Sequence, residues 1–212
     1  MKILAVIPAR AGSKGIPNKN IRLMNGLPLI CYSLRNAINS KYITDVVVST
    51  DSKEIEIISK QMGVNVRHRS KELCGDSVTL DSVVYDALCS YDSKSIDYVI
   101  TMQPTSPTLR VETLDAAIEF AISKKLDTVI SVVNKPHLSW KTLDDKIIPN
   151  YEKRLNRQYL PPNYLETGGF VISRKDVVTI DSRIGKSVGV YPLSDDESVD
   201  IDDFNDWIIA SR

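Results

Sequence analysis

Residues 8–20, Pro8-Ala9-Arg10-Ala11-Gly12-Ser13-Lys14-Gly15-Ile16-Pro17-Asn18-Lys19-Asn20, follow directly on the apolar run Ile3 to Ile7. Two glycines let backbone N–H groups come close to oxygen atoms, while arginine and lysine heads neutralise charge, so the loop suits an anion with several phosphates. Residues 1–44 carry Lys2, Arg10, Lys14, Lys19, Arg22, Arg35 and Lys41 and no Asp or Glu, although the chain balances 27 basic against 27 acidic residues. Positive charge is thus gathered beside this loop. Two familiar phosphate loops fail on spelling. The dinucleotide fingerprint G-x-G-x-x-G lacks its first glycine, and a Walker A loop needs Gly-Lys followed by Ser or Thr opening a helix, whereas Lys14 precedes Gly15. Arg10 and Lys14 are the expected phosphate contacts, completed by Ser13 and the Gly12 and Gly15 backbone. Lys19 either assists or is solvated.

The opposite charge gathers near the carboxyl end, where Asp195, Asp196, Glu197, Asp200, Asp202, Asp203 and Asp206 occur without a Lys or Arg between 195 and 206. On an extended segment, Val199-Asp200-Ile201-Asp202 turns both carboxylates to one side and both aliphatic chains to the other. Paired hard oxygen ligands beside phosphates suit Mg²⁺, with Mn²⁺ as a substitute. The plainer reading is that Asp202 caps the last helix and Asp200 is solvated. Gln103, Thr105 and Ser106 follow the strand-like run Tyr98 to Met102, and their amide and hydroxyl groups suit a polyhydroxylated ligand; Pro104 and Pro107 alternatively make a rigid turn.

The elements that must position these groups alternate. Apolar runs of strand length at Ile3–Ile7, Val46–Ser49, Tyr98–Met102 and Thr128–Val133 are separated by helical patterns over Leu29–Ser40, Ser52–Met62, Leu80–Tyr91 and Glu112–Lys124. A last strand from Gly185 to Tyr191 leads, through Ile201, to a short helix over Asp203–Ala210. This order predicts an α/β fold whose mainly parallel sheet is covered on both faces. Asp51 or Ser52 is placed to cap the second helix, and Asp51 also stands at a strand end where ligands collect. Residues 134–165 change character, with Pro136, Pro149, Pro161 and Pro162 and little periodicity, and read as an inserted hairpin-like arm.

A chain of 212 residues supports one substantial core, so a single domain with a small appendage is expected. With 42% hydrophobic and 25% charged residues it has the composition of a soluble globular protein. No stretch reaches the roughly 18 apolar residues of a membrane span, and the cytoplasm is the expected location. Cys31, Cys74 and Cys89 are too widely spaced for a disulfide framework or a zinc site. The balanced charge speaks against binding a nucleic-acid polymer.

Taken together, the motif at residues 8–20 resembles the signature of the bacterial acylneuraminate cytidylyltransferases, the CMP-sialic acid synthetase family. Gln103-Pro104-Thr105-Ser106-Pro107 is similar to that family's second motif, Arg157-Gln158 to its third, and Ser198-Val199-Asp200-Ile201-Asp202 to its metal-binding end. The resemblance implies a Rossmann-like three-layer sandwich of the nucleotide-diphospho-sugar transferase type, with residues 134–165 as a dimerisation arm. It implies transfer of CMP from CTP to the anomeric hydroxyl of an acidic nine-carbon (nonulosonic) sugar, with loss of pyrophosphate and a Mg²⁺ requirement. It implies roles in catalysis for Arg10, Lys14, Asp200 and Asp202, with the two aspartates on the metal. For the nucleotide it adds Ala9, Asn20, Arg69 and Thr79, although His68-Arg69 could equally be a surface turn. Lys141 and Arg157 are implied sugar-side contacts, reaching the partner subunit's pocket in a homodimer. Where neuraminate-specific relatives often carry an Arg-Pro-Asn-Gly-type run, this chain has Leu165-Glu166-Thr167-Gly168-Gly169, so a different nonulosonic acid is an open choice. A ketodeoxyoctulosonate-type cytidylyltransferase and a sugar-nucleotide-binding protein without turnover are the competing readings.

Overall fold

The computed structural model describes residues 1–13, 15–91 and 95–212. Among these, the chain runs through β1 (Ile3–Pro8), a short hairpin of β2 (Leu23–Met24) and β3 (Leu27–Pro28), α1 (Ile30–Asn39), β4 (Asp45–Thr50), α2 (Lys53–Gln61) and β5 (Asn65–His68). It continues through α3 (Leu80–Cys89), β6 (Tyr98–Thr101), α4 (Val111–Ser123) and β7 (Thr128–Asn134). A second hairpin of β8 (Trp140–Leu143) and β9 (Lys146–Pro149) follows, then β10 (Tyr164–Arg174), β11 (Val188–Pro192) and α5 (Phe204–Ala210). Seven strands form one sheet in the order β11-β7-β10-β6-β1-β4-β5. All neighbours are parallel except β10, which lies antiparallel between β6 and β7.

β1 shows why the sheet needs two covers. Its alternate side chains Ile3, Ala5 and Ile7 pack with Ile30 and Leu34 of α1, Ile55 of α2 and Leu114 and Ile118 of α4, whereas Leu4 and Val6 face Val84, Ala87 and Leu88 of α3. A strand buried on both faces reads as a continuous apolar run, and both layers are required to keep it from water. From β1 the chain steps to β4 and β5 on one side, then returns to place β6 on the other. Such a reversal leaves a crevice at the carboxyl ends of the strands on either side of it.

The expected helices and strands are present with ends shifted by one to three residues. The small β2–β3 hairpin and two strands of the main sheet were not anticipated. β5 is short and mostly exposed, and β10 carries Thr167-Gly168-Gly169 inside it, where the register against β7 shifts between Glu166 and Val171. Glycines and a bulge hide a strand from a test of period two. Within residues 134–165, β8 and β9 pair antiparallel, with Leu143 opposite Lys146. Asp144 and Asp145 between them both have positive φ, the geometry of a two-residue turn that matches strand twist. Trp140 meets Tyr151 edge-on at 6.0 Å, yet Trp140, Leu143 and Ile147 stay exposed. Among the described residues no helix is long and apolar enough to cross a membrane.

Candidate active site

The loop after β1 is fixed from both sides. Ala9 N–H donates to Ser49 O at 2.9 Å, Ala11 N–H donates to Asp51 Oδ1 at 2.8 Å, and Asn20 Nδ2 donates to Arg10 O at 3.0 Å. Ser52, not Asp51, caps α2 by accepting from Ile55 N–H, which leaves the Asp51 carboxylate to hold the loop. Asn18 takes left-handed backbone (φ 54°) where the loop turns into the 3₁₀ turn Lys19–Ile21. Of the two glycines singled out, Gly15 is the obligatory one: a Cβ there would lie 2.1 Å from Asp202 O, whereas one on Gly12 would meet open space.

That close approach joins the two ends of the chain. Lys19 Nζ donates to Ile201 O at 2.5 Å and lies 4.0 Å from Asp202 Oδ1. Ile201 is fully buried with Ile16, Met24 and Leu29, while Arg22 stacks over Phe204 and Trp207 of α5. Burying an isoleucine contributes about 1.5–3 kcal/mol, against roughly 1 kcal/mol of repulsion between two solvated carboxylates 4 Å apart. Apolar anchoring therefore outweighs the crowding of acids on this segment.

Arg10, Ser13, Gly15, Lys19, Asn20, Arg69, Gln103, Thr105 and Asp202 line one cleft of about 390 Å³ at the carboxyl ends of β1, β5 and β6. Lys14 lies outside the described residues. Arg69 is tied in by Nε to Ser49 Oγ at 3.0 Å and by its N–H to Thr50 O, so it is a wall of the cleft and no surface turn. Burial lowers the Arg69 pKa from its ordinary value, with the Asp51 charge opposing that shift. Gly12 faces a neighbouring space shared with Arg10, Ser13, Asp51 and Cys74. Burial and then the Asp51 charge raise the Cys74 pKa, which keeps it a thiol.

Several expectations need correction. Ala9 has no exposed surface and packs in the core, so its side chain is not available to a base. Thr79 is the exposed N-cap residue of α3; Val78 and Leu80 on either side of it line the cleft instead. Lys19 is engaged with the carboxyl-terminal segment and is only 12% exposed, so it is not a free phosphate ligand. Asp200 and Asp202 are not in a regular strand and open differently. Asp202 is 89% exposed toward the Arg10 cleft. Asp200 accepts from Gly168 N–H at 3.1 Å and lines a second cleft of about 630 Å³ with Arg157, Lys135, His137 and Ser198. The cap of α5 is Asp203, in a reciprocal box with Asp206, and not Asp202. Lys141 stands exposed on β8 and lines neither cleft.

Gln103, Thr105 and Ser106 are held by α1, β10 and the acidic segment together. Ser33 Oγ and Asn36 Nδ2 donate to Gln103 O and Leu109 O, Gln103 N–H donates to Gly168 O, and Ile201 N–H donates to Thr105 O. A Cβ on Gly168 would come within 2.9 Å of Thr105 Oγ1 and Ser106 Oγ and 3.1 Å of Asp200 Oδ1. Both hydroxyls are buried with no hydrogen-bond partner among the described residues. Thr105 lines the first cleft and Ser106, buried behind it, lines neither; orphaned hydroxyls of this kind are costly unless water or a ligand pairs with them. Gly168 was the residue sequence reasoning passed over; the Gly-Gly pair inside an apolar run was the available signal.

The family model for "Cytidylyltransferase" matches residues 4–180. The chain belongs to the cytidylyltransferase family. Among similar family members, the CMP-N,N'-diacetyllegionaminic acid synthase of Legionella pneumophila is 34% identical, over 100% of this chain and 96% of its own length. N-acylneuraminate cytidylyltransferase A of Danio rerio is 32% identical over 99% of this chain, and the N-acylneuraminate cytidylyltransferase of Streptococcus agalactiae serotype V is 32% identical over 98%. The chain spans about half the length of the fish and streptococcal relatives. The solved CMP:2-keto-3-deoxy-manno-octonic acid synthetase complexed with CTP has the same fold, with a TM-score of 0.75 at 16% identity over 100% of this cytidylyltransferase-family chain and 97% of its own.

Proposed function

We propose that this protein is a nucleotidyltransferase that transfers CMP from CTP to the anomeric hydroxyl of a nonulosonic acid and releases pyrophosphate. One observation carries this reading: basic residues from the loop after β1 and the Asp202 carboxylate face one cleft, in a chain similar over its whole length to a CMP-nonulosonic acid synthase. The anomeric oxygen bonds to the α-phosphorus as the bond from that phosphorus to the bridging oxygen breaks, and the hydroxyl proton passes to a base. Charge is the main obstacle, because a carboxylated sugar must approach a triphosphate. Arg10 and Arg69 offset it, and Lys14 is placed in sequence to do the same.

The donor set fits Mg²⁺. Asp200 and Asp202 are hard oxygen ligands on either side of the buried Ile201, one facing each cleft, so an ion between the clefts would draw on both; no cluster of three acidic, His or Cys groups stands among the described residues, and phosphate oxygens and water would fill the rest of the shell. Bound there, the ion would neutralise phosphate oxygens; Mn²⁺ suits the same ligands. Lys19 keeps the segment that bears Asp202 against the loop.

The second cleft, with Arg157 beside Asp200, is the proposed seat of the sugar acid, since a guanidinium pairs with a carboxylate through two donors. The orphaned Thr105 and Ser106 hydroxyls suit sugar hydroxyls. The exposed apolar side chains of the β8–β9 hairpin support a homodimer in which this hairpin, with Lys141, reaches the other subunit's pocket, while Arg157 serves the second cleft of its own chain. Use of CTP fits a cytoplasmic enzyme.

Pyrophosphate release with CTP across a panel of acceptors tests the reading. Turnover with legionaminic- or neuraminic-type acids is expected, and turnover confined to ketodeoxyoctulosonate, or absent with all, would overturn the proposed substrate class.

A further inference from the structure

Arg10 Nη1 donates to Asp76 Oδ1 at 2.7 Å. The two residues come from opposite walls, Arg10 from the loop after β1 and Asp76 from the segment before α3. Both line the 390 Å³ cleft and the adjoining space of about 380 Å³, so the ion pair stands between them. We propose that Asp76 is a built-in counter-anion that occupies Arg10 until a polyphosphate displaces it, and that it thereby sets the affinity of the site for triphosphate. This rests on reading the cleft as the triphosphate site.

A guanidinium binds carboxylate and phosphate through the same donors, so Asp76 and a phosphate compete for one group. The pair is easily opened, since the Arg10 and Asp76 side chains are 34% and 58% exposed, and solvated ion pairs are weak. A triphosphate brings several charges against one and wins the exchange. Its affinity is nevertheless reduced by the contact it breaks and by the carboxylate left facing it. Asp51, the carboxylate on the other side of the loop, does not compete, because it accepts from the Ala11 N–H and fixes backbone.

Calorimetric binding of inorganic tripolyphosphate, CTP and cytidine, in one Mg²⁺-containing buffer, tests the assignment without acceptor sugar. Asp76→Asn is expected to bind tripolyphosphate and CTP about three- to tenfold more tightly than wild type, with cytidine unchanged. In an Arg10→Ala background the gain from the same substitution is expected to shrink, because the Arg10–Asp76 pair is no longer there to be broken. Equal or weaker tripolyphosphate binding by Asp76→Asn overturns the proposal. An undiminished gain in the Arg10→Ala background also overturns it, by showing general charge repulsion. Tripolyphosphate carries neither base nor ribose, so the two readings fail separately. A wild type that binds tripolyphosphate but does not prefer CTP to UTP or ATP would sink the cytidylyltransferase reading and leave the counter-anion standing. Absence of tripolyphosphate binding in both proteins would remove both.

Discussion

Asp202 and Glu56 are both acidic, and their surroundings give them different work. Asp202 is exposed to the cleft and contributes little to packing, so Asp202→Asn is expected to leave thermal stability within a degree or two while lowering kcat by about 100-fold or more, as loss of a ligand to the cation that neutralises transition-state charge does. Wild-type turnover and an unchanged metal requirement in that variant would remove Asp202 from the proposed metal site. Glu56 is instead a structural carboxylate with a side chain only 4% exposed, paired with Lys60 and Lys53. Hydrogen bonds from Lys60 and then Lys53 lower its pKa from 4.5 to about 2. A folded-state pKa below the unfolded one stabilises the fold at pH above the unfolded value, and this contribution is lost as pH falls from about 4.5 toward 2. Melting curves should therefore show Glu56→Gln less stable than wild type at neutral pH, with the gap closing through that window. A gap that stays constant between pH 6 and pH 2 would sink the assignment.

Helix α4 shows how the acidic segment is used away from chemistry. Its N-cap residue Arg110 has no side-chain cap of its own. Glu197, buried in the segment before α5, accepts from Arg110 N–H at 2.9 Å through Oε1 and from Ser194 Oγ at 3.0 Å through Oε2. A carboxylate at a helix amino terminus also meets the positive end of the dipole. Glu197→Ala is expected to cost about 1–2 kcal/mol of stability, read by denaturant titration, as removal of a helix cap does. Because the same residue docks the segment bearing Asp200 and Asp202, the KM for Mg²⁺ should rise with it. A stability loss with unchanged metal response would confine Glu197 to capping.

Two clefts stand side by side, one lined by Arg10 and Asp202 and the other by Arg157 and Asp200, with the Gly168 junction linked to both through Thr105 and Asp200. Arg157 lines the second cleft of its own chain, so an Arg10→Ala chain mixed with an Arg157→Ala chain is expected to give mixed dimers without an intact site and no recovered activity. Recovery of about a quarter of wild-type activity from a one-to-one mixture, in which half the dimers are mixed and half their sites are whole, would instead place Arg157 in the partner's pocket.

The order of strands and helices, the loop after β1 and its charge were legible in the sequence because they follow from local patterns: period two, period 3.6, and residue types within one short segment. β10 was not legible, since Thr167-Gly168-Gly169 interrupts its pattern and its place between β6 and β7 is a long-range pairing. Nor did residue type separate Lys19, which fastens the acidic segment, from Arg10, or tell that Asp203 rather than Asp202 would cap α5. Only the tertiary structure brought position 15 against position 202, because Ile16 and Ile201, far apart in the chain, share one buried cluster and carry their charged neighbours with them.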